Sequence, residues 1–269
     1  MKLCFSTLGC PDWSWKRIVE AAPRMGYDGL EIRGIQDVMY LPKAEPFLPD
    51  NIACTKADLA KRGLSIACLG ASSFFHGPNV DENIAEAKDY VDLAALLRVR
   101  YVRVFGDRIP DVAHKRQTLE QIAAALRELA EYAAPQGVRI LIETHGDFAR
   151  SEDLLEVLER VDNPYVGVLW DVHHPYRFYG EAVADTFATL GKYVVHVHIK
   201  DSVTTDDSFQ YCLPGEGDVP LGEIIDLLRS VSYQGWLSFE WEKRWHPELA
   251  EPEVALPAFA RVVRDLLNS

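Results

Sequence analysis

Two kinds of hydrophobic pattern alternate along the chain from end to end. Short apolar runs begin near Leu3 (LCFST), Gly29 (GLEIRG), Leu64 (LSIACLG) and Tyr101 (YVRVFG). Four more begin near Arg139 (RILIETH), Tyr165 (YVGVLWDV), Val194 (VVHVHIKD) and Gly235 (GWLSFEWE). They are rich in Val, Ile, Leu and aromatics, the composition of buried pleated segments. Between them the apolar positions recur at intervals of three and four, the period of a helix with one buried face. The clearest stripe, Leu119, Ile122, Ala123, Leu126, Leu129, Ala130 and Ala133, predicts a helix from about Lys115 to Ala134.

Other helices are expected behind capping residues. Asp12 precedes Trp15, Ile18, Val19 and Ala22; Asp81 precedes Ile84, Val91 and Ala94; Ser151 precedes Leu154, Leu155 and Leu158. A last helix starts at Pro252, with Val262, Val263 and Leu266 inward. Eight strand-then-helix units, at intervals of roughly 26 to 41 residues, fill positions 1–269 without a low-complexity linker. That repetition predicts an α/β fold, a (β/α)8 TIM barrel in a single domain. A doubly wound open sheet would ordinarily begin with a glycine-rich nucleotide loop after its first strand, and STLGC at 6–10 is not one.

Composition adds limits rather than a function. With 48% apolar and 26% charged residues the chain can bury a substantial core. Lys and Arg number 28 against 41 Asp and Glu, a net charge of −13, which opposes a phosphate backbone, so no nucleic-acid partner is expected. Five scattered cysteines without C-x-x-C spacing suit reduced thiols better than a disulfide framework or a thiolate zinc site. The opening MKLCFSTLGCPDW lacks a signal-peptide apolar run and no stretch reaches membrane-spanning length, so a cytoplasmic chain with no membrane partner is expected.

The chemistry gathers at the ends of the later strands. In VVHVHIKD, His196, His198 and Lys200 share one face and Val195, Val197 and Ile199 the other, an arrangement that is costly unless the polar face lines a site. The fifth strand ends in Glu143 and His145, and the sixth in Asp171, His173 and His174. The seventh ends in His198 and Lys200, and the eighth in Glu240 and Glu242. In a TIM barrel these ends form the active-site face. Carboxylates converging there repel one another, so a divalent cation is the natural partner. Oxygen ligands with one imidazole suit Mn²⁺ first, with Mg²⁺, Co²⁺ or Zn²⁺ as alternatives, and no nucleotide cofactor is implied. Trp13 and Trp241 lie near strand ends and either wall a pocket or pack beneath loops.

These segments resemble the xylose isomerase-like TIM barrels, which group sugar isomerases and epimerases, inosose dehydratases and endonuclease IV. The likeness is carried by GYDGLEIRG (26–34), ILIETH (140–145), LWDVHH (169–174), HVHIKD (196–201), LPGEGDVP (213–220) and GWLSFEWE (235–242). The resemblance implies a single metal ion held by Glu143, Asp171, His198 and Glu240. It favours His198, nearer the strand's end and just before the x-Lys-Asp, over His196, and Glu240 over Glu242 by its spacing from Gly235. It makes His174 a substrate contact, and His145, Arg103, Lys200 and Glu216 are further candidates for that role.

The activity implied is isomerisation or epimerisation of a sugar or related polyol ketone, with Glu143 and Glu240 as the acid/base pair. Ketose 3-epimerases of this kind carry a second Glu six residues after the fifth-strand ligand and an Arg six after the ligand His. Here those positions are Ala149 and Thr204, which weakens the likeness to that subgroup. A dehydratase of a cyclic polyol ketone would use the same metal site. An endonuclease IV-like phosphodiesterase needs more metal ligands, with His76 and His173 as the spare histidines, and a basic surface that −13 denies. A barrel that binds without catalysis would be expected to have lost a ligand. The partner implied is a small-molecule sugar or polyol, and association into a homo-oligomer is left open.

Overall fold

The apolar runs become parallel strands and the periodic segments become the helices between them. A computed structural model describes residues 1–206 and 208–269. Its barrel strands are β1 (Lys2–Ser6), β2 (Gly29–Ile32), β3 (Ser65–Phe74), β4 (Tyr101–Phe105), β5 (Arg139–Glu143), β6 (Val166–Asp171), β7 (Val194–Ile199) and β10 (Trp236–Phe239). The hydrogen-bonded order β1-β10-β7-β6-β5-β4-β3-β2 closes on itself, giving the expected eight-stranded TIM barrel. Each start lies within one residue of the position read from the sequence.

Contacts divide the chain into two compact halves, Met1–Ala67 with His196–Ser269, and Cys68–Val195. In the first half β1 pairs in parallel with β2 and β10, and β10 with β7, so that Ser238 aligns with both Cys4 and His198. Leu3, Phe5, Leu30, Val197, Leu237 and Phe239 are fully buried. Helices α1 (Trp15–Arg24), α2 (Ile52–Lys61), α8 (Leu221–Ser230) and α9 (Pro252–Asn268) belong to this half. Phe259 of α9 stacks on Phe239, ring centroids 4.5 Å apart, and the Tyr27 hydroxyl donates to the Leu256 carbonyl at 2.7 Å.

In the second half β4 pairs with β3 and β5, and β5 with β6. Helices α3 (Val80–Leu97), α4 (Lys115–Ala133), α5 (Ser151–Val161), α6 (His173–Tyr179) and α7 (Val183–Leu190) connect and cover these strands. The predicted α4 stripe is buried in full, and each side chain of Leu or Ile size removed from water there contributes about 1.5–3 kcal/mol.

Helix starts differ from the expectation. Ser14, not Asp12, caps α1, its hydroxyl accepting from the Arg17 N–H. Asn79 occupies the cap of α3, and Asp81 lies in the first turn, where a carboxylate favours the helix dipole. Ser151 is the first residue of α5 rather than its cap. In α9 Val263 is buried as expected, while Val262 and Leu266 are half-buried and Leu256 and Phe259 carry the contact.

One element had no counterpart in the sequence reading. Beyond β7 the chain forms an antiparallel hairpin, β8 (Asp201–Thr204) with β9 (Phe209–Cys212). The Asp201 carboxylate anchors the following loop, accepting from the N–H groups of Gly215 at 2.8 Å, Gly217 at 3.1 Å and Val219 at 3.3 Å. Gly217 is obligatory there, since a Cβ would collide with that carboxylate. No helix among the described residues is long and apolar enough to cross a membrane.

Candidate metal centre

The alternation of β7 places both of its histidines in the interior, fully buried. Glu31 of β2 meets them with one carboxylate oxygen each: His196 Nε2 lies 2.6 Å from Oε2 and His198 Nε2 lies 2.7 Å from Oε1. Burial alone would raise the Glu31 carboxyl, but the adjacent histidines, His198 foremost, hold it well below the usual carboxylate range. His196 is thus a hydrogen-bonded core residue. Glu31, inside the quoted GLEIRG, was not singled out, although a carboxylate within an otherwise apolar strand was the visible signal.

Glu240 follows β10 directly. Its Oε2 lies 3.2 Å from His198 Nδ1 and 2.5 Å from Lys200 Nζ. Lys200 is fully buried and also donates to Glu242 Oε1 at 2.6 Å, so one ammonium binds two carboxylates of the strand end. Trp241 beside them is buried and donates its indole N–H to the Ala250 carbonyl, and Trp13 is buried under the Arg17 guanidinium; both pack beneath loops. Glu216 is exposed, on the loop that Asp201 anchors.

In the other half, Glu143 ends β5 and Asp171 ends β6, both buried. Arg103 is buried as well, its Nε 3.1 Å from Glu143 Oε2, its Nη1 donating to the Ala71 carbonyl at 3.1 Å and its guanidinium 4.0 Å from the Phe105 ring centre. Arg103 thus forms an interior ion pair that fixes a carboxylate. Asp171 Oδ1 accepts from the N–H groups of His173 at 2.9 Å and His174 at 3.2 Å, the first residues of α6. Its backbone is locked to Thr144, whose hydroxyl donates to the Asp171 carbonyl and accepts from the Asp171 N–H.

His174 Nε2 lies 3.8 Å from Asp171 Oδ2, and its ring centre is 4.9 Å from that of the half-buried His145. His145 Nδ1 lies 3.5 Å from an Asp107 oxygen. The His145 contact is the leading cause holding the Asp107 carboxyl below its ordinary value. Asp107 adopts a left-handed backbone at φ 65°, and neighbouring Gly146 packs so close that a Cβ would strike the Asp107 carbonyl. His76, the spare histidine of the multinuclear reading, accompanies Asp107 at 4.0 Å.

Glu143, Asp171, His198 and Glu240 form one buried group, each offering a ligand atom within 4.8 Å of the others. Three carboxylates and an imidazole so close are the donor set of a divalent cation, and the cluster can bind one. Neither His76 nor His173 enters a candidate group among the described residues. A second set, Cys4, Glu31 and His196, is equally close, but burial pushes the Cys4 thiol well up and leaves it protonated, a poor ligand.

A family model described as xylose isomerase-like TIM barrel matches residues 19–262. An inosose isomerase of Bacillus velezensis is 28% identical over 267 residues, covering 89% of this chain and 88% of that protein. An inosose dehydratase of Glaesserella parasuis is 27% identical over 234 residues, covering 76% and 78%. Among solved structures, the IOLI protein with a bound zinc atom superposes with a TM-score of 0.81 at 23% identity, covering 99% of this chain and 98% of that one.

Proposed function

Because the chain belongs to the xylose isomerase-like TIM barrel family, we propose that it is a divalent-metal-dependent isomerase or epimerase of a sugar or related polyol ketone. The observation that carries this reading is the buried group of Glu143, Asp171, His198 and Glu240. These four residues would hold the ion, Mn²⁺ by preference, with Zn²⁺, Mg²⁺ and Co²⁺ as the other metals to test. When bound, a divalent cation supplies Lewis acidity, polarising a substrate carbonyl and acidifying the carbon next to it.

The protein's own residues supply the proton transfers. Glu143 and Glu240 act as the pair, one removing the proton from the carbon beside the carbonyl and the other delivering one to the product. Arg103 orients Glu143 from within its own half of the chain, and Lys200 orients Glu240 from within the other. In this reading both cations serve the substrate through the carboxylates they hold. His145 and His174, which follow β5 and β6 with ring centres 4.9 Å apart, would donate hydrogen bonds to substrate hydroxyls, and Glu216 would reach substrate from its loop.

A dehydratase is the second reading, and the match to an inosose dehydratase favours it. The same proton removal would be followed by loss of the hydroxyl on the next carbon as water, after protonation by a neighbouring acid. A screen of inososes and ketoses with products read by NMR separates the two outcomes. Glu143→Gln is expected to lower kcat at least 100-fold on the substrate found. Full turnover by that variant with its metal content intact would sink the assignment of Glu143.

A further inference from the structure

Glu31 lies outside the four-residue group, on β2, without solvent exposure. It accepts from two imidazoles at once, at 2.6 Å from His196 and 2.7 Å from His198. A carboxylate offers only acceptors, so both contacts need a proton on the histidine Nε2. An imidazole protonated at Nε2 can bind a cation only through Nδ1, and His198 turns Nδ1 toward Glu240 Oε2, 3.2 Å away. The Cys4 and Ser238 side chains pack in the same layer, where β1 and β7 each align with Ser238. The ring therefore sits between a carboxylate of the deep core and a carboxylate of the candidate centre.

We infer that Glu31 is a positioning residue for the metal centre: it holds His198 in the Nε2–H form, so that the ring presents Nδ1 to a divalent cation. His196 contributes by occupying the second oxygen, which fixes the plane of the Glu31 carboxylate and aims Oε1 at His198. Were Glu31 unable to accept, His198 could take the opposite tautomer and donate Nδ1–H to Glu240, and the ligand would be lost. Carboxylates that orient a ligating histidine in this way typically contribute 10- to 100-fold in metal affinity. The inference rests on the metal reading above and assigns Glu31 no contact with substrate.

The test uses the full chain, titrated with Zn²⁺ and Mn²⁺ by calorimetry, with ¹⁵N-histidine NMR of the diamagnetic zinc form. The wild type is expected to bind one ion and to show Nε2–H on both His196 and His198, with His198 coordinated through Nδ1. Glu31→Gln has a single acceptor oxygen and cannot accept from both rings. It is expected to bind either metal 10- to 100-fold more weakly and to change the tautomer signature of at least one ring. His196→Gln leaves an amide donor for Glu31 and is expected to bind metal within about threefold of wild type.

Glu31→Gln affinity within threefold of wild type would overturn the proposal. So would coordination of wild-type His198 through Nε2, a readout that stands even where a variant does not fold. Equal losses in the Glu31 and His196 variants would mark general core damage and also overturn it. A wild-type chain that takes up no metal removes the metal reading itself, a different result from wild-type uptake that Glu31→Gln leaves unchanged.

Discussion

Lys200 carries an ammonium into the interior, where only well-matched partners make the charge tolerable. Glu240 and Glu242 provide them at 2.5 and 2.6 Å. Lys200→Met would keep much of the volume and leave two largely buried carboxylates without that cation. It is expected to destabilise the chain by about 3–5 kcal/mol, a drop in Tm on the order of 10 °C. A companion Glu242→Gln in the Lys200→Met background should recover part of the loss, and thermal melts of the two variants decide it; a melt of Lys200→Met within 2–3 °C of wild type, on the order of 1 kcal/mol, would show the pair to be dispensable. At this scale the sequence exposed identity but not partnership. Strand ends in a barrel share one face, which nominates His198, Asp171, Glu143 and Glu240 together with their neighbours, and the family resemblance selects these four. The Glu31 contacts could not be nominated, because they join residues 165 and 167 positions apart through a register that periodicity does not encode. The same holds for Arg103, whose partner on the next strand decides between surface and interior.

Helices were legible where a period persists and least legible at their starts. The α4 stripe spans about four turns and left little choice, whereas the start of α1 turns on one hydroxyl. Pro11, Asp12 and Trp13 precede it, and the chain enters the helix at Ser14 with extended backbone and its Oγ 3.4 Å from the Arg17 N–H. Asp12 is an equally good cap by composition, so only the path of the loop distinguishes the two. Ser14→Ala should cost about 1 kcal/mol and lower Tm by about 2–4 °C, while Asp12→Ala should leave it within 1 °C. Differential scanning calorimetry of the pair checks this, and the reverse ranking would return the cap to Asp12. The β8–β9 hairpin escaped notice for a related reason. DSVT and FQYC are four residues each, too short to show a strand period, and what organises their surroundings is the Asp201 carboxylate, a residue read only as the tail of HVHIKD.

For the molecule as a whole, eight repeats of one pattern, with no glycine-rich nucleotide loop after the first strand, pointed to the barrel and away from an open sheet. What repetition could not give is the electrostatic state of the cluster the barrel brings together. Glu143 has Arg103 beside it and Glu240 has Lys200, while Asp171 is held by the N–H groups of His173 and His174. Three carboxylates within 4.8 Å of one another and of an imidazole favour function over stability in the absence of a cation. Asp171→Asn keeps an oxygen to accept those two N–H groups and removes one negative charge. The metal-free variant is therefore expected to melt no lower than the metal-free wild type, and higher by about 3 °C for each kcal/mol of repulsion relieved. Metal should reverse the order. At 100 times its dissociation constant an ion binding only the folded state adds about 2.7 kcal/mol, roughly 8 °C, to the wild type. Less than a third of that shift is expected for Asp171→Asn. Paired melts with chelator and with Mn²⁺ make the comparison. A metal-free variant melting more than about 3 °C below wild type, a loss near 1 kcal/mol, would mark the Asp171 carboxylate as a structural group instead of one held for a cation.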